Sequence, residues 1–161
     1  FEKASGNDFT VINDADAAGY ATMNYGIGRG LKGFIVMITI GTGLGSGAFL
    51  DGRLIPNFEL GQIPYKEYSK IESWAAASVK EAEGLSWKKW GKRFNTFLEL
   101  VELIVNPDMI ILGGGTSKYF QEYEKYIKIE TEVIPAGLQN HAGIIGAATG
   151  CLVNHPELYL Q

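Results

Sequence analysis

Glycine occupies every second position of residues 41–47, directly after a run of apolar and β-branched residues, and this pattern favours a phosphate-binding turn. The run, FIVMITI over residues 34–40, predicts a buried strand. Because glycine has no side chain, the backbone N–H groups of a hairpin turn can approach a bulky anion closely. We therefore expect these amides, with the Thr42 hydroxyl, to hold a phosphate group. The alternative is a glycine-rich hairpin that binds no ligand.

A dinucleotide-binding loop is the other function that such glycines suggest. Residues 43–48, GLGSGA, fit the loose form G-x-G-x-x-A. That motif must be followed by a helix, whereas here a short apolar segment and an Asp51-Gly52 hairpin signal follow. The context therefore excludes a Rossmann-type loop, and no Walker A sequence occurs in the chain.

Asn13 and Asp14 are candidates for catalysis because they lie between a predicted strand, residues 9–12, and a predicted helix that runs to about Tyr25. The Asp14 carboxylate can act as general base for a substrate hydroxyl, with the Asn13 amide orienting the same substrate. The alternative is that both residues only cap the helix, since Asn and Asp are common N-cap residues. Asp16, one turn deeper, is expected to face solvent or to cap.

A polar loop near residue 60 is a candidate sugar-binding segment. Asn57, Glu59 and Gln62 lie there around Gly61, and each hydroxyl of a polyol needs both a donor and an acceptor. Without further information, an ordinary polar surface loop is the favoured interpretation of this pattern.

A further glycine segment, Gly113, Gly114 and Gly115, follows a predicted buried strand at residues 109–112 and precedes a predicted helix. Backbone can approach a ligand closely there, and the N-terminus of a helix favours anions. The alternative is a turn that uses glycine only for its positive φ. The spacing favours neither interpretation over the other.

The predicted elements that would position these residues alternate along the chain. After the hairpin at residues 51–52, helices are predicted from near Ser69 to Gly84 and, capped by Ser86, to about residue 105. A short strand at residues 131–135 and a last helix from Asn140 complete the chain. This order predicts an α/β fold with a mixed sheet and flanking helices.

The long helix carries Lys88, Lys89, Lys92 and Arg93 on the side opposite its aromatic residues. Such a row of cations can follow a polyanion. A solvated helix face is the favoured interpretation, because charged residues usually mark the exposed side of an amphipathic helix.

Bulk composition narrows the classes of function. The chain has 161 residues, of which 46% are hydrophobic, and a formal net charge of −4. This balance allows a sizeable core and argues against general binding of nucleic acid or of an anionic membrane. Cys151 is the only cysteine, so neither an internal disulfide nor a cysteine-rich zinc site is expected. A cytoplasmic location is expected for the same reason. His141 and His155 have no partner at ligand spacing, so no metal ligand is predicted.

Five segments, in this order and over nearly the whole chain, resemble the ROK sugar kinases, and more narrowly the polyphosphate glucokinases. They are residues 13–19, 39–46, 56–61, 111–115 and 138–148. The resemblance implies an actin-like (ribonuclease-H-like) fold of two lobes around a cleft. Residues 1–161 would be the large C-terminal lobe, and the N-terminal lobe would be missing, since the chain begins at Phe1 in what looks like the end of a helix.

The resemblance also implies a reaction, the transfer of a phosphoryl group from polyphosphate or ATP to the 6-hydroxyl of glucose. Asp14 aligns with the catalytic base of the family, and Asn13 and Glu59 align with its sugar-binding positions. Two segments align with its donor site: Gly41, Thr42, Gly43 and Gly45 with the phosphate turn, and Gly113 to Gly115 with the nucleotide-side turn. Mg²⁺ is expected with the donor phosphates, and a homodimer is expected.

The chain departs from the family pattern at three places. Glu59-Leu60-Gly61-Gln62 stands where the family often has Glu-Leu-Gly-His, which affects sugar preference because Gln cannot become charged. The cysteine-rich zinc segment of many members is absent. The N-terminal Asp-x-Gly-Gly-Thr phosphate motif is also absent, so these residues alone are expected to be inactive. A non-catalytic sugar-sensing regulator and a polyphosphate hydrolase on the same fold are the alternative functions.

Overall fold

A mixed five-stranded sheet forms the centre of the fold in the computed structural model, which describes residues 2–7, 11–137 and 142–154. The strands are β1 (Phe34–Ile40), β2 (Leu44–Leu50), β3 (Arg53–Ile55), β4 (Met109–Gly113) and β5 (Glu132–Pro135). Their order across the sheet is β3-β2-β1-β4-β5. β1 is antiparallel to β2 and parallel to β4, β3 is antiparallel to β2, and β5 is parallel to β4. The predicted α/β fold with a mixed sheet is therefore confirmed.

The helices are named in chain order. They are α1 (Glu2–Ser5), α2 (Asp14–Tyr25), α3 (Glu72–Ala75), α4 (Ala77–Ala82), α5 (Trp87–Val105), α6 (Phe120–Tyr123) and α7 (Ala142–Asn154). Short 3₁₀ turns cover Leu60–Gln62, Ser117–Tyr119 and Glu124–Tyr126. None of the helices in the described ranges is long and apolar enough to cross a membrane.

Both faces of the sheet are covered, because β1 and β4 are apolar at nearly every position. Successive strand residues point to opposite faces, so Val36, Ile38 and Ile40 pack toward α5. Ile35 and Met37 pack on the other face against α2. This central position fixes both ends of β1 firmly, including the turn that follows Ile40.

The two long helices begin and end where local chemistry dictates. The Ser86 hydroxyl accepts a hydrogen bond from the Lys89 amide at 3.3 Å, and Asn106 ends α5 in a left-handed conformation at φ 43°. The Asn13 side chain caps α2 by accepting a hydrogen bond from the Ala15 amide at 2.8 Å. The predicted starts of both helices are confirmed.

Several predicted elements differ from the structure. A strand was predicted at residues 9–12. Val11 and Ile12 are not part of a strand, and residues 9 and 10 lie outside the described residues. The last glycines of residues 41–47 are not in a turn, because β2 already begins at Leu44. The start of the last helix at Asn140 also lies outside the described residues.

The predicted helix from Ser69 to Gly84 is two short helices, α3 and α4, because Ala76 is extended at ψ 161°. The predicted helix after the glycines at 113–115 is also broken, into α6 between two 3₁₀ turns. In both regions apolar residues recur at helical spacing, but contacts with α5 decide where the backbone bends.

Candidate active site

A cavity of about 350 Å³ opens where β1 ends and α2 begins, and it collects most of the predicted site residues. We call it the main cavity. Its lining includes the following predicted residues: Asn13, Asp14, Gly41, Thr42, Gly43, Gly45, Glu59, Gln62 and Gly114. Residues from four distant parts of the sequence therefore meet at the carboxyl end of β1, the usual place for a ligand in an α/β sheet.

Asn13 has two roles at one edge of the main cavity. Its side-chain oxygen caps α2 through the Ala15 amide, and its side-chain nitrogen donates to Glu59 Oε1 at 3.0 Å. The capping and substrate-orienting interpretations are thus compatible, because the two atoms of one amide serve different partners. Asp14, the next residue, is exposed and lines the same cavity.

The loop that carries Glu59 is fixed from behind by Ser46, which is buried in β2. The Ser46 hydroxyl donates to the Phe58 carbonyl at 2.7 Å and accepts from the Leu60 amide at 2.8 Å. Gly61 packs so closely on Leu44 that any side chain there would collide with the Leu44 carbonyl. The polar loop is therefore a firmly held wall of the cavity and not an ordinary surface loop.

The glycine turn forms the opposite wall. The Gly41 amide donates to the Gly43 carbonyl at 3.1 Å, and the Ser78 hydroxyl donates to the Thr42 carbonyl at 2.6 Å. The turn is thus held in shape from inside and from α4. Gly45 lies in β2 opposite Thr39, outside the turn itself.

The nucleotide-side glycines are divided among three environments. Gly114 lines the main cavity with φ 78°, and a side chain there would lie 2.6 Å from the Ile40 carbonyl. Gly115 lines a second cavity of about 330 Å³ on the other side of the glycine turn, with Thr42, Ser78 and Lys118. Gly113 ends β4 and is buried, outside the lining of both cavities.

Two polar residues in the lining of the main cavity were not predicted as site residues, Thr39 and Glu72. Thr39 is a polar residue in an otherwise apolar strand, a signal that the sequence does contain. Glu72 has no local signal, because its contacts are distant in sequence: it accepts from the Leu44 amide at 3.1 Å and from Gln62 Nε2 at 3.2 Å.

The surroundings of Glu72 stabilise its negatively charged form. Burial alone would raise its pKa, but the hydrogen bonds from Lys70 and the Leu44 amide outweigh burial and lower the pKa below the ordinary value of 4.5. Lys70 forms an ion pair with Glu72 at 2.5 Å. Glu72 therefore joins the end of the glycine turn to the Gln62 loop as a carboxylate.

The lining of the main cavity is acidic. It contains Asp14, Glu59 and Glu72 but no Lys, Arg or His among the described residues. Short polar acceptors suit a polyol, whereas a phosphate donor needs positive charge or amides. Within the described ranges, no group of three or more His, Cys, Asp or Glu side chains could hold a metal ion. We therefore assign no metal ligand among the described residues.

Asp16 and Asn57 are not where the sequence interpretation placed them. Asp16 was expected to face solvent or to cap, but it is only 4% exposed. Asn57, a predicted sugar ligand, lies outside the lining of the main cavity, in a left-handed conformation at φ 63°. Both line a different cavity of about 310 Å³ beside α2.

The lysines of α5 are on a solvated face, the favoured interpretation. Lys88, Lys89 and Lys92 are exposed. Arg93 is engaged with Glu83 in an ion pair at 2.7 Å and also donates to the Trp74 carbonyl at 3.1 Å. It is therefore held against the protein surface and does not project outward like its neighbours.

Asn57→Gly tests whether the Asn57 side chain binds the sugar. We expect the KM for glucose to stay unchanged, because glycine adopts φ 63° easily and the side chain lies outside the main cavity. Asn57→Ala should lower the free energy of unfolding by about 1 kcal/mol, because asparagine adopts the left-handed conformation more readily than alanine. Steady-state kinetics and thermal unfolding of the intact protein check both statements. A tenfold rise in KM for Asn57→Gly would restore Asn57 as a ligand.

Known proteins with similar sequences were found for most of the chain. No family model matches the chain. A polyphosphate glucokinase of Mycobacterium tuberculosis is 42% identical over 143 residues, which cover 89% of this chain and 54% of that protein. The chain thus spans about half the length of the curated relatives it matches.

Solved structures give the same picture. The inorganic polyphosphate/ATP-glucomannokinase from Arthrobacter sp. strain KM matches with a TM-score of 0.90 and 41% identity, covering 96% of this chain and 60% of that one. A ROK family glucokinase from Streptomyces griseus, in complex with glucose and AMPPNP, matches with a TM-score of 0.74 and 20% identity, covering 91% and 69%. At this lower identity the likeness concerns the fold alone. By sequence similarity and by fold, this chain is a homologue of the polyphosphate glucokinases and has the fold of the ROK-family sugar kinases.

Proposed function

We propose that the intact protein is a glucokinase that transfers a phosphoryl group from polyphosphate or ATP to the 6-hydroxyl of glucose. One observation carries the proposal: Asp14, the Asn13–Glu59 pair and the glycine turn face one cavity of about 350 Å³. Homology to polyphosphate glucokinases supports the choice of substrates. The described chain would be the large lobe of a two-lobe enzyme.

The sugar would bind at the acidic wall of the main cavity. Asn13, Glu59 and Gln62 offer amide donors and carboxylate acceptors, the mixture that sugar hydroxyls need. Glu72 adds a further carboxylate and keeps Gln62 in place through its hydrogen bond. Most of these groups are themselves held by backbone or side-chain contacts, so the sugar would meet a preorganised site.

Asp14 would act as the general base. As the 6-hydroxyl attacks the terminal phosphorus, the O–P bond forms, the bond to the leaving phosphate oxygen breaks, and the hydroxyl proton passes to the Asp14 carboxylate. Gly41 and Thr42 of the glycine turn line both the main cavity and the second cavity, whose lining includes Lys118. The donor would approach from that second side.

The described residues bring too little positive charge for the donor phosphates on their own. The described residues that line the main cavity include no Lys, Arg or His, and phosphoryl transfer depends on neutralising phosphate charge. We propose that Mg²⁺ held by donor oxygens, together with residues of a second lobe, supplies it. The homodimer and the cytoplasmic location expected from the sequence remain predictions.

A coupled assay for glucose 6-phosphate tests the function. The intact protein should form product from glucose with polyphosphate, with ATP or with both, and residues 1–161 alone should form none. Donor consumption that does not depend on glucose would instead favour a phosphohydrolase. Turnover by residues 1–161 alone would refute the need for a second lobe.

A further inference from the structure

Asp16 stands out because the proposed reaction does not use it although it is buried beside the site. Its side chain is 4% exposed, and its Oδ1 atom is buried with no hydrogen-bond partner among the described residues. A buried polar atom without a partner destabilises a fold, so its presence here calls for an explanation. Asp16 is two residues from Asp14 on the same helix, and Asp14 lines the main cavity. We therefore looked for a role of Asp16 beside this cavity.

The space around Asp16 is bounded by Gly47 and by residues 57–62, the loop that carries Glu59, which we call the sugar-side loop. A side chain at Gly47 of β2 would lie only 3.2 Å from Asp16 Oδ1, so this position must stay small. On the other side, Asp16 lines a cavity of about 310 Å³ together with Asn57 and Asn13. Asp16 thus lies between the strand behind the loop and the loop itself.

The contact between Asp16 and the loop passes through the backbone of Asn57. The Asn57 backbone lies close enough to the carboxyl group of Asp16 to lower its pKa, and both residues line the same cavity. Asn57 has a left-handed conformation, which a residue other than glycine keeps only when its surroundings hold it. Two residues further on, Glu59 contacts Asn13.

We propose that Asp16 is a positioning residue for the sugar end of the main cavity. Its buried carboxyl group holds the backbone at Asn57 in the left-handed conformation and so keeps Glu59 against Asn13. Ser46 fixes the same loop at Phe58 and Leu60, so the loop is held on both sides of Glu59. This inference rests on the proposed function of the main cavity.

The charge state of Asp16 agrees with this role. Burial raises its pKa, the negative charges of Glu59 and Asp14 raise it further, and the Asn57 backbone opposes the rise. Among the described residues, Tyr20 on the same helix is the remaining titratable neighbour, and α7, which packs on α2, has no acidic or basic residue. Burial and the carboxylates of Glu59 and Asp14 thus oppose a third negative charge at this position.

Three variants of the intact protein test the inference. Asp16→Ala should raise the KM for glucose about tenfold with little change in kcat, because Asp14 and the glycine turn are untouched. Asp16→Asn should restore the KM, since an amide resembles a neutral carboxyl group in shape and keeps an acceptor oxygen. Thr22→Val is the matched control, because Thr22 is buried on the same helix and, among the described residues, its hydroxyl bonds only to the Ala18 carbonyl. The KM of this variant should equal that of the wild type.

Thermal unfolding as a function of pH provides a second readout. A raised pKa in the folded state means that the contribution of Asp16 to stability is complete at low pH and is lost as the pH rises through that pKa. Asp16→Asn should therefore gain stability relative to the wild type as the pH rises above the ordinary Asp range. If Asp16→Ala does not fold, Asp16→Ser replaces it with the same expectations.

Crystal structures separate this inference from the proposed function. In Asp16→Ala, the 3.0 Å contact between Asn13 and Glu59 should be lost or lengthened. A variant that keeps this contact, or a KM equal to the wild-type value, would overturn the positioning role. Equal impairment of Asp16→Ala and Asp16→Asn would overturn it too. A wild-type protein that phosphorylates no glucose would refute the proposed function instead.

Discussion

Replacing Asp14 by asparagine is expected to lower kcat for glucose phosphorylation by about 10²–10⁴-fold, the usual contribution of a general base. Asparagine has nearly the same size and can still hydrogen-bond a hydroxyl, but it cannot accept the proton. Glucose affinity should therefore change little. Steady-state kinetics give kcat, and isothermal titration calorimetry gives the dissociation constant of glucose for the intact protein.

The control for this prediction is Glu122→Gln, which removes an exposed carboxylate of α6 outside the cavity lining. It should retain wild-type kinetics. An Asp14→Asn protein with most of its activity would remove Asp14 from the role of base. If the variant instead lost glucose affinity and kept kcat, Asp14 would be a sugar ligand.

Glu72→Ala has the second largest expected effect, a fall of about 10- to 100-fold in kcat/KM for glucose. The carboxylate accepts from the Leu44 amide and from Gln62, and hydrogen bonds to a charged group contribute about 1.5–3 kcal/mol each. Its loss would release both the strand end after the glycine turn and the sugar-side loop. Kinetics of the intact protein measure the effect.

Lys70→Met is the matched variant, because it removes the ion pair with Glu72 and leaves the contacts with Leu44 and Gln62 in place. It should cost much less activity than Glu72→Ala. If the two variants lost activity equally, the ion pair and not the connection between the two walls would be the important contact.

Glu72 also makes the stability of the protein depend on pH. The pKa of Glu72 is lowered in the folded state, so its carboxylate stabilises the fold above the ordinary value of 4.5 and this contribution is lost as the pH falls through the lower, folded value. The difference in melting temperature between the wild type and Glu72→Ala should be largest near neutral pH and should shrink below about pH 4.5. A difference that grows with acidification would contradict the assignment.

Local patterns predicted the parts of the fold that local chemistry decides. The strand Phe34–Ile40 is nearly all apolar because it is covered on both faces, and Ser86 and Asn13 cap their helices through their own side chains. Asp51 and Gly52 both have positive φ, as their hairpin signal requires. Each of these features depends on residues a few positions apart.

Features that depend on distant contacts could not be predicted in this way. The apolar spacing of residues 69–84 is typical of one helix, but the backbone turns at Ala76, where the Trp90 indole donates to the Ala76 and Ala75 carbonyls. Glu72 belongs to the site only through Leu44 and Gln62.

The sequence identified most residues of the candidate site but not how they are arranged. The five segments that resemble the ROK kinases brought Asp14, Glu59 and the glycine turn into consideration, and the structure places them around one cavity. The burial of Asp16 and the left-handed conformation of Asn57 have no counterpart in those motifs. They arise from contacts between distant segments, because Asp16 of α2 lies against Gly47 of β2 and lines the same cavity as Asn57.

A crystal structure of the intact protein with glucose tests the central claim most directly. We predict that glucose lies in the main cavity, with its 6-hydroxyl about 2.6–3.2 Å from an Asp14 carboxylate oxygen and pointing toward the glycine turn. Asn13 and Glu59 should hydrogen-bond other hydroxyls of the same sugar. Glucose bound outside this cavity, or with a different hydroxyl facing Asp14, would contradict the account.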